Sequence, residues 1–321
     1  MVILLAMKPS KKRGETMSKE YNHYIAVDWS IKNMAIARMT GKSNKVTVVD
    51  VPSEIEDLKL YLGILRGSKI LALEETTTSQ WLYTELKGHV DRLVICDPVR
   101  NHLLSEGAKT DKIDAVKLVQ LLRANLLKEV YHSAEGFLEL RRLVSGYDDL
   151  VKAMVRLKNQ RYSLLKTSGL TGEESTGTRL KGTVKQRVIE GMERQLECCK
   201  REKDIYEEDF EKLARKHAEI RHQKSLPGIG IIGAVKIVSR VVSPGRFIDA
   251  GHYLSYAGLV KLERTSGGVV YGRKNSRYSR GLKSVYKMGA VTAIGGNNTI
   301  HDYYEPNYRR KNNVDETSQG N

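Results

Sequence analysis

Ala108-Lys109-Thr110-Asp111-Lys112-Ile113-Asp114-Ala115, running on into Val116–Leu122, is the segment that says most about the fold. From Lys112 onward Ile113, Val116, Leu118, Val119 and Leu122 recur at helical spacing, which predicts an amphipathic helix. Asp111 and Asp114 stand three residues apart at its start, so both carboxylates can project from one face. Such a pair can hold a divalent cation. Equally, aspartates in a first helical turn cap free amides and complement the helix dipole. These eight residues leave both readings open, and the choice rests on what lies to either side.

Upstream, Tyr24–Asp28 is a strand signal ending on an acid, and Met34–Met39 and Val46–Val51 are two more, joined by the turn residues Gly41–Asn44. Leu58–Leu65 reads as helix and Lys69–Glu74 as a fourth strand, again ending on acids, Glu74 and Glu75. A helix around Gln80–Lys87 and a strand at Arg92–Cys96 precede the opening stretch. Strands that alternate with helices after a meander indicate an α/β domain with a mixed sheet. Asp28 and Glu74 both fall at strand ends, where an open sheet presents its ligand site. With Asp111 and Asp114 they make four acids from three elements, in the order and placement of a ribonuclease-H-like nuclease core. In such phosphoryl transfer, carboxylates hold two metal ions that activate one oxygen and stabilise another. Mg²⁺ takes hard oxygen ligands and keeps waters, so a sparse carboxylate set suits it.

The 321 residues are enough for two or three domains, and a formal net charge of +16 points to a polyanionic partner, nucleic acid above all. Cys96, Cys198 and Cys199 have neither metal-ligand spacing nor a disulfide framework, which fits a reducing cytoplasm. The apolar run Val2–Ala6 is too short to span a membrane, so residues 1–20 read as a loose basic tail, with Met17 an alternative start.

Downstream, no proline occurs between Pro98 and Pro227, and the middle of the chain is helical. Phe137, Leu140, Val144, Tyr147, Val151 and Met154 alternate steps of three and four. Met192, Cys199, Tyr206, Leu213 and Ile220 recur every seven, with Leu196, Phe210 and His217 at the companion position. These are coiled-coil seams, with Thr167–Thr178 a loop reversal between them. They can pair two protomers or fold back as one antiparallel hairpin. Leu226-Pro227-Gly228-Ile229-Gly230, leading into Ile231–Val242, resembles a helix-hairpin-helix, in which Gly228 and Gly230 would present amides to a phosphate. Between Lys261 and Lys287 eight Lys or Arg, among them Arg264, Arg273, Lys274, Arg277 and Arg280, stand against the single acid Glu263, a phosphate-binding surface. Ser266 sits there beside Gly267 and Gly268, a setting that on its own describes a hairpin turn.

Taken together, Asp28, the segment Leu71–Trp81 (LALEETTTSQW) and Ala108–Leu122 (AKTDKIDAVKLVQLL) resemble the RuvC-like domain of the insertion sequence 110 transposases, a family that includes pilin-gene invertases. Its glutamate maps to Glu74, with Glu75 the weaker occupant; Thr77 replaces a glycine usual in the family. Pro227-Gly228-Ile229-Gly230, Arg246-Phe247, Tyr256–Leu259 and Ser266-Gly267 resemble the same family's carboxy-terminal transposase domain, although Ser279–Lys283 lacks a Gly-Asn pair found there. The resemblance implies that Asp28, Glu74, Asp111 and Asp114 bind Mg²⁺ and that Ser266 is the nucleophile on DNA. It further implies a structured non-coding bridge RNA as guide and a homo-oligomer, dimer or tetramer, whose active sites are shared between protomers.

The expected architecture is therefore α/β plus α: residues 1–20 a basic tail, 21–130 a RuvC/ribonuclease-H-like mixed-sheet domain, 131–223 long coiled-coil helices, 224–300 a mostly helical serine transposase domain with the helix-hairpin-helix, and 301–321 a disordered tail. The expected partners are DNA and guide RNA in the cytoplasm, with no membrane. Rival readings are an invertase of the same family, a RuvC-like nuclease that uses water, and a non-enzymatic DNA-binding protein.

Overall fold

A computed structural model describes residues 20–97, 110–132, 135–170, 182–274 and 276–306. The chain divides into two compact units that meet at residues 135 and 136.

In the amino-terminal unit, five strands form one mixed sheet: β1 (His23–Trp29), β2 (Asn33–Thr40), β3 (Ser43–Pro52), β4 (Lys69–Glu74) and β5 (Arg92–Cys96), in the order β3-β2-β1-β4-β5. The first three are antiparallel neighbours, while β1, β4 and β5 run parallel. Side chains alternate across the sheet, and the two faces differ in bulk. One carries Ala26, Ala35, Ala37 and Ala72, on which α3 (Asp111–Arg123) lies with Ala115, Leu118, Val119 and Leu122. The other carries Ile25, Val27, Met34, Ile36, Leu71 and Leu73, covered by Leu58 and Leu62 of α1 (Ile55–Ile64) and Leu82 and Leu86 of α2 (Ser79–Leu86). Each of these leucines, fully buried, contributes roughly 1.5–3 kcal/mol. The row of alanines lets the α3 backbone approach the sheet closely.

The carboxy-terminal unit opens with two long helices, α4 (Glu135–Lys166) and α5 (Val184–Lys216). They run antiparallel: Tyr147 packs edge-on against Tyr206 and Phe210, Met154 and Leu157 meet Leu196, Arg161 Nε donates to Glu193 at 2.9 Å, and Leu165 meets Ile189. The seams thus close within one chain. His217 does not continue them; it is exposed and marks the break before α6 (Ala218–Lys224). A turn holding Gly228 and Gly230 leads to α7 (Ile231–Val241), whose Ala234, Val235, Ile237, Val238 and Val241 are buried. These pack with Phe210, Tyr253 of α8 (Ala250–Tyr256) and Leu282 of α9 (Arg280–Ile294) in the unit's main core. Asp148 ties α4 to α7 through Lys236 Nζ at 2.5 Å and Arg240 Nη2 at 3.1 Å. Between α8 and α9 stands a two-stranded ribbon, β6 (Leu262–Ser266) and β7 (Val269–Lys274).

Residues 299–306 are helical, so helix extends into the segment expected to begin the tail; residues 307–321, residues 1–19 of the basic tail, Ala108-Lys109 and most of the reversal at Thr167–Thr178 lie outside the described residues. Among the described residues, no helix is long and apolar enough to cross a membrane.

Candidate active site and nucleic-acid interface

The acids are brought together by register. β1 and β4 pair in parallel through Val27 and Leu73, so Asp28 and Glu74 follow side by side at the carboxyl ends of adjacent strands. Each is two residues beyond an alanine of the α3 face, Ala26 and Ala72, and alternation puts both on that face. The first turn of α3 supplies Asp111 and Asp114. The cap of this helix is neither aspartate: Thr110 Oγ1 accepts the Ile113 amide at 3.3 Å. The carboxylates are therefore free of the capping task that the opening stretch left open.

Two observations describe the electrostatics. Burial, and then the negative charges of Asp111, Glu74 and Asp114, push the Asp28 carboxyl up to about 6. Asp114 Oδ1 is buried and has no hydrogen-bond partner among the described residues. Leaving a buried carboxylate oxygen unpaired is costly, and a cation beside these hard oxygen donors would remove both penalties. The donor set fits Mg²⁺ in chemistry. Yet among the described residues no three His, Cys, Asp or Glu side chains are posed around one point as metal ligands.

Glu75 is exposed, and its amide donates to Cys96 O at 2.9 Å. Asp50 was not singled out from the sequence, yet Asp28, Ala35 and Asp50 stand opposite one another across β1, β2 and β3. Asp50 holds Lys112 Nζ at 3.5 Å, while Arg123 at the far end of α3 donates to Ser43 O at 2.6 Å and Gly41 O at 3.1 Å. Both ends of the acid-bearing helix are thereby fastened to the sheet. The signal for Asp50 was present: it continues the alternation of Val46 and Val48, which pack on the α3 face.

The remaining sequence-predicted residues lie in the carboxy-terminal unit. Ser266 ends β6, is exposed, and pairs with Val269 across a two-residue turn in which Gly267 and Gly268 have φ of 55° and 81°. Both central residues of this turn take the left-handed region that a type I′ hairpin needs. Arg264, Arg273, Lys274, Arg277 and Arg280 are all exposed, and Arg273 Nη2 donates to Glu263 at 3.0 Å. The two turn glycines differ. Gly228, with φ of 76°, abuts the backbone of Gly289 on α9, whereas a Cβ at Gly230 would meet nothing within 4 Å. Gly228 is thus engaged in packing, and Gly230, at the cap of α7, faces open space.

A mixed five-stranded sheet with acids at two strand ends and on the following helix defines a ribonuclease-H-like domain of the DEDD type. Two family models match in chain order: a DEDD transposase model over residues 25–169, and "Transposase IS116/IS110/IS902 family" over residues 221–305. The chain belongs to the IS110 family of transposases. No curated protein matches it.

Proposed function

We propose that this transposase, the recombinase of a mobile element, cuts and rejoins DNA through a Mg²⁺-dependent acidic site and a covalent serine–DNA link. The observation that carries the reading is the placement of the acids: register sets Asp28 and Glu74 side by side on the sheet face covered by α3, whose first turn bears Asp111 and Asp114. Asp28, Glu74, Asp111 and Asp114 would hold the metal. When bound, Mg²⁺ supplies Lewis-acid polarisation and neutralises charge on the phosphoryl group.

Ser266 is the nucleophile in this reading. Its Oγ–P bond forms as the scissile P–O bond breaks, the serine proton passes to a base, and the departing DNA oxygen leaves with a proton. The resulting phosphoserine diester keeps the bond energy for rejoining, which a water nucleophile would discard. A serine hydroxyl is weak at neutral pH and needs a neighbouring base or cation, so it requires the acidic site. The hairpin tip makes the hydroxyl accessible. A structured guide RNA selects the DNA, and the exposed basic residues contact phosphates. Because the seams close within the chain, a homo-oligomer would use the outer helix faces, where Val155, Tyr162, Val188 and Ile205 are exposed.

The test is strand cleavage in Mg²⁺ by Asp28→Ala, Glu74→Ala, Asp111→Ala and Asp114→Ala. Each should be folded and inactive, whereas Glu75→Ala should cleave. Normal cleavage by Asp114→Ala would break the four-acid assignment.

A further inference from the structure

The β6–β7 ribbon is exposed along both faces: every residue from Lys261 to Tyr271 is exposed, and Val269, Val270 and Tyr271 are 68, 48 and 65% accessible. A lone hairpin without a packed face is marginal in water, and exposed apolar clusters mark interaction sites. Its two faces are not equivalent. Alternation from the paired ends puts Leu262, Arg264 and Ser266 on one face with Val269, Gly272 and Lys274. The other carries Glu263, Thr265, Val270 and Arg273, and there the charges cancel in the Glu263–Arg273 ion pair at 3.0 Å. Among the described residues Arg264 and Lys274 have no acidic partner, so the Ser266 face of the two strands is the cationic one. Tyr271 is the extra residue where the register skips from Gly272 to Val270.

We propose that this ribbon docks in the major groove of a DNA duplex with its Arg264–Ser266–Lys274 face toward the DNA. The inference rests on the reading of Ser266 above and adds how DNA is presented to it. Dimensions favour the groove. Five- and six-residue strands reach about 17–20 Å, and two strands with side chains fit the roughly 12 Å wide major groove of B-form DNA. The major groove of duplex RNA is deep and too narrow for side chains to read. Chemistry agrees: Arg264 and Lys274 match phosphates or guanine edges, and Leu262 and Val269 on the same face offer apolar contact to thymine methyls. Arg264, two residues before Ser266 on the same face, stands about 7 Å from it along the strand, close enough to hold the phosphate region that Ser266 would attack.

The experiment uses full-length protein carrying Ser266→Ala, without Mg²⁺, on a mixed-sequence DNA duplex and on an RNA duplex of the same sequence. Dimethyl sulfate reports guanine N7, which lies in the major groove. The expected result is N7 protection on DNA that disappears when Arg264→Ala and Lys274→Ala are added. The salt dependence of DNA binding should fall by about two phosphate contacts, with RNA-duplex binding unchanged. Since the ribbon lies outside the core, the melting temperature should not move. N7 that stays reactive while DNA is bound overturns the proposal, as does equal loss of RNA binding. A changed oligomeric state with an unchanged footprint would assign the ribbon to a second copy of the chain instead. None of these readouts needs catalysis, so the proposal can fail while the serine chemistry stands, and the reverse.

Discussion

Asp28→Asn should stabilise the metal-free protein while destroying its activity. In the folded protein the Asp28 carboxyl rises from 3.8 to about 6 through burial and the charges of Asp111, Glu74 and Asp114. A rise of that size is worth roughly 3 kcal/mol between its charged and neutral forms; because Asp28 is only half-buried, solvent screening reduces the expected gain to about 1–2 kcal/mol. The sign follows from linkage. An acid whose folded value is raised binds protons more tightly when folded, so its contribution is most favourable below about pH 4 and declines as pH rises through about 6. Thermal unfolding in a chelator should therefore show wild type losing stability relative to Asp28→Asn between about pH 4 and pH 7. Above that window the variant should melt higher by about 2–4 °C per kcal/mol. Adding Mg²⁺ should raise the wild-type midpoint more than that of the variant. A variant that melts at or below wild type across this window, with no pH trend in the difference, would refute the idea that the four acids repel one another.

Other substitutions probe how the scaffold holds its parts. Asp148→Ala leaves Lys236 and Arg240 as adjacent, largely buried like charges and should cost about 2–3 kcal/mol in urea unfolding. Burial opposes ionisation of Asp148, but Lys236 and then Arg240 hold its carboxyl below the ordinary value; wild type should therefore keep this contribution above about pH 4 and lose it as pH falls further, while the variant should not. Gly228→Ala puts a Cβ onto the Gly289 backbone at a φ of 76° and should cost at least about 2–3 kcal/mol, whereas Gly230→Ala should be mild by the same assay. Lys112→Ala should lower cleavage more than stability, because the half-exposed pair with Asp50 is worth under about 1 kcal/mol yet helps fix the first turn that bears Asp111 and Asp114.

Much of the amino-terminal unit was legible because its sheet is buried on both faces while its elements keep distinct periods. Tyr24–Asp28, Lys69–Glu74 and Arg92–Cys96 read as strands, and the acids that close the first two marked the candidate site before any geometry. Asp50 escaped because its importance is a matter of register: only pairing through Ala35 brings it level with Asp28. The capping question at Asp111 was likewise undecidable from spacing, since Thr110 lies one residue before it and carries the same capacity. In the second half, heptad steps revealed the seams but not their partner, because a helix stripe is the same whether it meets its own chain or a copy. Gly228 illustrates a further limit. A glycine in a Pro-Gly-Ile-Gly turn looks open to phosphate, and only the path of α9 shows that its missing side chain makes room for Gly289. The ribbon's Gly-Gly turn was readable, but its freedom from any core was not.

The central claim is that Ser266 joins DNA covalently. Full-length protein incubated with Mg²⁺, its element-end DNA and guide RNA, then denatured, digested with protease and analysed by mass spectrometry, tests it directly. A serine nucleophile predicts a DNA end attached to the peptide containing Ser266, absent in Ser266→Ala although that variant still binds DNA. Free cleaved ends without an adduct, at near-normal rate in Ser266→Ala, or an adduct mapped to Tyr271 or Tyr278, would contradict it.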